Sequence, residues 1–246
     1  MAETQPAVLK VDPSVQVDLS TIPISPEGEN VDVDQYQKKI TSSLDEQITV
    51  FHDRDNFNGG DHWNELLKQV ITFSSVEEFW GVYNNIAPVS QLAIKSDYHL
   101  FKEGIRPEWE DPKNKHGGKW SYQFKDKRNT PIDELWLHVM LSAIGETLEG
   151  ENDGEVMGVV VNVRKVFYRI GVWTHSTGNR IVGGGDGDVA GGKGRSPEKG
   201  KEILINIGRT FKEITKLPPS EVVEFTGHTE SINSQGSSRA RPKYSV

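Results

Sequence analysis

Cysteine is absent from the 246-residue chain, which excludes a disulfide framework, a thiolate zinc site and a thiol nucleophile. No stretch approaches the ~20 consecutive apolar residues a membrane helix needs, and the N-terminal MAETQPAVLK lacks the apolar centre of a secretory leader. These absences describe a soluble chain with no membrane partner, cytoplasmic by expectation and compatible with the nucleus. Catalytic signatures are missing too. There is no G-x-S-x-G elbow and no H-E-x-x-H, and the seven histidines (52, 62, 99, 116, 138, 175, 228) fall at no paired metal spacing. No cofactor, metal or enzymatic activity is expected. Gly187, Gly192 and Lys193 match the phosphate-loop pattern G-x-x-x-x-G-K, but Gly194 stands where a Ser or Thr would hold magnesium. The glycine-rich stretch 183–195 therefore reads as a flexible surface loop.

Charge is unevenly spread. The formal net charge is -8, yet residues 1–50 alone hold nine acids against three lysines, leaving 27 acids against 25 bases in the rest. That first segment has no tryptophan and few large apolar side chains, too little to offset the entropy of ordering it. Residues 1–55 are expected to be a disordered acidic tail, 56–246 a single domain, and 228–246 its polar C-terminal tail. The near-balance beyond residue 50 permits a local basic groove.

Within the domain, Ser74-Ser75 followed by Glu77 and Glu78 marks a helix start, and Pro88 follows the apolar run 79–86. Leu135, Trp136, Val139, Met140, Ala143 and Ile144 recur at helical spacing over 132–148. A third helix begins at Pro197, carries Ile203, Ile207, Phe211 and Ile214, and stops at Leu217-Pro218-Pro219. Strand-like runs occupy 97–101, 119–124, 157–163, 167–174 and 222–225. The expected fold class is α+β: an antiparallel sheet with about three helices on one face.

All six tryptophans lie between 63 and 173. Trp120 and Trp173 sit in strand runs, and Trp136 and Trp80 on apolar helix faces, where packing in the core is the ordinary role. Trp63 follows Asn58-Gly59-Gly60-Asp61-His62, and Trp109 lies within Arg106-Pro107-Glu108-Trp109-Glu110-Asp111-Pro112. Both are in polar, turn-marked loops, where a large aromatic is costly unless something stacks on it. An indole next to a carboxylate, with cations elsewhere, suits a flat cationic heterocycle bearing N–H donors and an anionic tail.

Several segments in order resemble the translation initiation factor 4E family, which binds the mRNA 5′ cap: 76–80 (VEEFW), 95–101 (KSDYHLF), 106–111 (RPEWED), 117–120 (GGKW), 135–137 (LWL), 144–146 (IGE) and 158–164 (GVVVNVR). The match covers about 62–180 and 200–240, and the long polar loop is similar to fungal members. The resemblance implies a cup-shaped α/β fold with the cap in its concave slot. Trp63 and Trp109 would sandwich 7-methylguanine, Glu110 would accept from the base N1–H and N2–H, and the Trp109 N–H would meet O6. Arg164 and Arg169, with Lys119 nearby, would hold the triphosphate; Val166 replaces a residue that is often basic. Tryptophan rather than tyrosine at 63 favours the initiation class.

On the opposite, dorsal surface the resemblance implies that Val76, Trp80, Leu137, His138, Leu141 and Ile144 receive a Tyr-x-x-x-x-Leu-Φ helix (Φ apolar) of the scaffold factor 4G or of 4E-binding proteins. His138 stands where a charged residue is common, and Ser237 loosely matches a C-terminal phosphorylation site. One departure stands out. Asn58 runs directly into Gly59-Gly60-Asp61-His62-Trp63, without the family's His-Pro-Leu segment and tryptophan-bearing first strand. A missing strand exposes a ladder and part of the core, with Gln47-Ile48-Thr49-Val50-Phe51 apolar enough to substitute partly. The alternative reading is thus an interaction-only or repressor-type variant with impaired cap or scaffold binding.

Overall fold

The computed structural model describes residues 43–54, 67–150, 153–178, 196–233 and 241–246. Trp63, Ser237 and the glycine-rich stretch 183–195 lie outside these residues, as does the acidic segment before residue 43. The described residues fall within one compact unit, Thr41–Val246.

Among the described residues eight strands form one sheet: β1 Ser43–Arg54, β2 Lys68–Ser75, β3 Ser96–Lys102, β4 Gly118–Phe124, β5 Val156–Val163, β6 Tyr168–Thr174, β7 Glu224–Gly227 and β8 Tyr244–Ser245. Their spatial order is β2-β1-β3-β5-β6-β4-β7-β8, with every neighbouring pair antiparallel. The helices are α1 Val76–Tyr83, α2 Ile132–Ile144, α3 Pro197–Ile214 and the short α4 His228–Asn233.

Strand alternation sorts the side chains into two layers. Ile48 and Val50, Tyr98 and Leu100, Trp120, Val159 and Val161, and Ile170 and Val172 pack with Phe79 of α1, Trp136 and Val139 of α2, and Leu204, Ile207 and Phe211 of α3. The other face carries a smaller apolar cluster of Phe51, Leu67, Phe101, Ile105, Met157, Val160 and Trp173. Helices α1, α2 and α3 thus cover one face and leave the concave face as a floor. Close packing at the helix layer depends on Gly208 of α3, where a Cβ would stand 2.7 Å from the ring of the fully buried Trp120.

Local signals account for the helix ends. The Ser75 hydroxyl accepts from the Glu78 N–H at 3.2 Å, and the Glu78 carboxylate reaches back to the Ser74 N–H at 2.7 Å. Ser196 caps α3 ahead of Pro197 by accepting from the Lys199 N–H at 3.2 Å. The helix expected to reach residue 148 stops at Ile144, because Gly145 is the cap and Glu146 turns to φ +52°.

Three sequence expectations need correction. The segment ending near residue 55 is not all tail, because Ser43–Arg54 is a strand between β2 and β3. The gap left by the absent tryptophan-bearing strand is therefore filled: β1 pairs on both sides, with Ile48 and Val50 turned to the core. Strand β2 went unforeseen. The C-terminal segment from 228, expected as a polar tail, contributes the six-residue α4 and β8, beside the three longer helices expected on one face. It returns because the β7 edge offers backbone partners: the Lys243 N–H donates to Phe225 O at 2.7 Å, and Tyr244 packs on Phe225 with ring centroids 5.7 Å apart.

Candidate functional site

On the concave face, Trp173 of β6 meets Phe101 of β3 edge-on with centroids 5.5 Å apart, and the His228 ring is tilted against the same indole with centroids 4.3 Å apart. Phe101 fits because its neighbour on β5 is Gly158, where any Cβ would enter the phenyl ring. Burial holds the His228 ring neutral, with a pKa lowered to about 3, and the Lys119 charge adds to the effect.

Trp109, half-buried, packs against this floor from the loop joining β3 to β4. The loop is fixed from within. Asn114, fully buried, donates through Nδ2 to the carbonyls of Arg106 at 2.7 Å and Glu108 at 2.9 Å. Asp111 accepts from the N–H groups of Arg106 (2.9 Å) and Lys113 (2.8 Å), and the Arg106 guanidinium donates to the buried Glu108 carboxylate, Nε to Oε1 at 2.7 Å. His175 Nδ1 lies 2.7 Å from the Lys113 carbonyl. This bracing fixes the backbone on both sides of Trp109 and Glu110, the latter exposed beside the indole.

The strand register lays the remaining candidates along one axis. Lys119 of β4 stands opposite Trp173, while Arg169 of β6 stands opposite Asn162 of β5 and Gln123 of β4, four residues or ~13 Å farther along. Arg164 follows the end of β5, and its guanidinium grips Asp97 of β3 with Nη1 and Nη2. Lys119 is largely desolvated; burial first, and then Arg169 and Arg164, lower its pKa to about 8 against the opposing pull of Asp97. Three cations with one interleaved carboxylate thus run along the face, from Lys119 opposite Trp173 to Arg169 and Arg164 at the far end, a row poised for an anion. The Trp109 indole and the Glu110 carboxylate lie toward the Trp173 end.

Asp53, Asp97 and His99 also converge on β1 and β3, with ligand-capable atoms within 4.8 Å of one another. Both Asp97 oxygens are engaged by Arg164, and Asp53 Oδ2 faces His99 Nε2 at 3.5 Å. Asp97 is thus taken by Arg164, whereas Asp53 Oδ1 and both ring nitrogens of His99 are buried without a hydrogen-bond partner. Asp97 carries no sequence signal of its role beyond lying in 95–101; only the β3–β5 register places it beside Arg164.

On the opposite face, α1 presents Trp80, 37% exposed, edge-on to Phe79 (5.2 Å) and Tyr83 (5.7 Å). Val76, Leu137, His138 and Leu141 are half-buried, whereas Ile144 is inside the core. Ile144 thus supports this surface from below rather than lining it.

Residues 43–243 match the family model described as eukaryotic initiation factor 4E. Eukaryotic translation initiation factor 4E-1 of Schizosaccharomyces pombe is 47% identical over 216 residues, covering 80% of this chain and 88% of that protein. Among solved structures, Ascaris suum eIF4E-3 with the m7G cap superposes with a TM-score of 0.67 at 29% identity, covering 84% of this chain and 98% of that one. The complex of Caenorhabditis elegans eIF4E-3 with the 4E-binding protein Mextli and a cap analog gives 0.66 at 27% identity, with 83% and 98% coverage.

Proposed function

The chain belongs to the eukaryotic initiation factor 4E family, and from that premise we propose that it binds the 7-methylguanosine cap of messenger RNA and recruits initiation partners through its helical face. The base stacks on Trp109, and the positive charge its N7-methyl group confers strengthens the attraction to indole. Trp63, outside the described residues, supplies the second plane. Glu110 accepts from the base N1–H and N2–H, a paired charge-assisted contact that selects guanine, while the Trp109 N–H meets O6. Arg164, Arg169 and Lys119 hold the triphosphate. No bond is made or broken: the site acts by binding, in the cytoplasm where messages are translated.

The observation that carries this reading is the alignment of the braced Trp109–Glu110 loop with the Lys119, Arg164 and Arg169 cations along one concave face. The alternative of a variant that lost cap or scaffold binding with a missing strand is not favoured, because β1 fills the sheet beside β3. On the helical face, Val76, Trp80, Leu137, His138 and Leu141, supported by Ile144, take the Tyr-x-x-x-x-Leu-Φ helix of scaffold factor 4G and of 4E-binding proteins. Retention on a 7-methyl-GTP resin, with release by free 7-methyl-GTP and not by GTP, tests the cap reading. Passage through the resin without retention would overturn it.

A further inference from the structure

At the seam of β1 and β3 the concave floor holds Asp53 and His99, a pair that the proposed cap slot does not use. The register sets Asp53 opposite Asp97 and Phe51 opposite His99. Strand alternation turns all four toward the face that carries Phe51 and Phe101. The surroundings of the imidazole are apolar: the Phe101 ring lies 6.5 Å away, and the strand neighbour of His99 on β5 is Val160.

Asp53 is 5% exposed and His99 4%. Asp53 Oδ1, His99 Nδ1 and His99 Nε2 are all buried without a hydrogen-bond partner. A carboxylate buried this deeply is costly unless a positive charge meets it, and a bare imidazole nitrogen beside it is a ready metal ligand. The geometry suits an ion between them. Tetrahedral zinc with bonds of about 2.1 Å sets neighbouring ligand atoms ~3.4 Å apart, close to the 3.5 Å that separates Asp53 Oδ2 from His99 Nε2. Asp97 offers a third ligand atom, all three lying within 4.8 Å of one another. Its oxygens accept from Arg164, and each keeps a second lone pair.

We propose that Asp53, Asp97 and His99 form a site for a divalent transition-metal ion of the zinc class, which fastens β1 to β3. One imidazole with two carboxylates suits zinc, whereas calcium and magnesium take oxygen ligands alone. The expectation of no metal rested on the spacing of histidines along the chain; strand register instead gathers one histidine with two aspartates. The ion would hold the two strands together whether or not the face binds a cap.

The full chain, stripped with a chelator, is the material for the test, beside the near-isosteric variants Asp53→Asn and His99→Gln. Zinc at about 100 µM is expected to raise the Tm of the natural chain by roughly 3–5 °C, the shift for a Kd of about 10 µM and an ~tenfold gain in the folding equilibrium. Magnesium at the same concentration should give no shift. Cobalt(II) should give a visible d–d absorption band that zinc displaces. Each variant, folded by circular dichroism, should lose both the Tm shift and the band. Absence of both effects in the natural chain would overturn the proposal on its own. Effects that survive in either folded variant would overturn it too, by placing the ion elsewhere on the chain.

Discussion

The Arg164 guanidinium closes on the Asp97 carboxylate through two parallel hydrogen bonds, Nη1 to Oδ1 at 2.5 Å and Nη2 to Oδ2 at 2.8 Å. The fork geometry fixes the plane of the guanidinium. Because the Asp97 side chain is only 10% exposed and that of Arg164 33%, the carboxylate is the anchor and the arginine the group presented to a ligand. Asp97→Ala is expected to lower stability by about 1–2 kcal/mol, less than for a fully buried pair because Arg164 can turn to water. The same variant should bind 7-methyl-GTP roughly fivefold more weakly, the cost of re-ordering a freed side chain. Urea unfolding and calorimetric titration check the two effects separately.

Lys119 gives the site a pH dependence of definite sign. Its pKa is lowered to about 8 in the folded protein, so at pH 7 it is charged and, on the proposed cap-binding reading, would meet the phosphates, whereas above pH 8 it releases its proton. Affinity for 7-methyl-GTP is expected to fall as pH rises from 7 to 9, through loss of one phosphate contact. Stability without ligand moves the other way. The folded state holds the lysine charge at a cost that is full below pH 8 and relieved between pH 8 and about 10.5, the unfolded value. Lys119→Met should therefore stabilise the protein at pH 7 by on the order of 2 kcal/mol while weakening cap binding. A variant both less stable and weaker would contradict this assignment.

Gly208 shows a propensity overridden by packing. Glycine to alanine inside a helix ordinarily gains about 1 kcal/mol. Here the added Cβ would stand 2.7 Å from the Trp120 ring, which is fully buried and cannot yield freely. Gly208→Ala is expected to destabilise by ~1–3 kcal/mol, measurable by thermal or urea unfolding.

Trp80 separates surface from support. Its indole is more than a third exposed (37%) and rests edge-on against Phe79 and Tyr83. Trp80→Ala should cost under about 1 kcal/mol of stability but ~2 kcal/mol or more of affinity for a Tyr-x-x-x-x-Leu-Φ peptide. Ile144→Ala, inside the core, should show the reverse balance. Peptide binding by fluorescence anisotropy beside urea unfolding resolves the two.

The parts of the fold readable from the sequence are those with strong local periodicity. α2 and α3 stand out by helical spacing, β3 to β6 as short β-branched and aromatic runs, and the starts of α1 and α3 by Ser75 and Pro197. Of β1 only Gln47–Phe51 stands out, as an apolar run able to substitute partly for the absent strand, because acidic neighbours set the character of the rest of the segment. The alternation of Ile48 and Val50 against Thr49 and Phe51 is the signal that outweighs them. β2 was obscured by the helix start that follows it directly, although Ile71 and Phe73 alternate with Val70 and Thr72. In the site, the polar, turn-marked loop points to Trp109 and Glu110, whereas Lys119, Arg164 and Arg169 come from the family resemblance, two of them lying on strands β4 and β6. The Asp97 grip on Arg164 and the Asn114 brace are products of strand register and loop closure, and no short-range pattern encodes either.

The central claim is that Trp109 and the Lys119, Arg164 and Arg169 cations form one slot for a methylated guanine nucleotide. Tryptophan emission during titration with 7-methyl-GTP, and in parallel with GTP, tests it most directly, with Trp109→Ala as the paired variant. The account predicts saturable quenching by 7-methyl-GTP, at least tenfold weaker for GTP, and loss of that quenching in Trp109→Ala with folding intact. Equal response to the two nucleotides, or unchanged quenching in the variant, would contradict it.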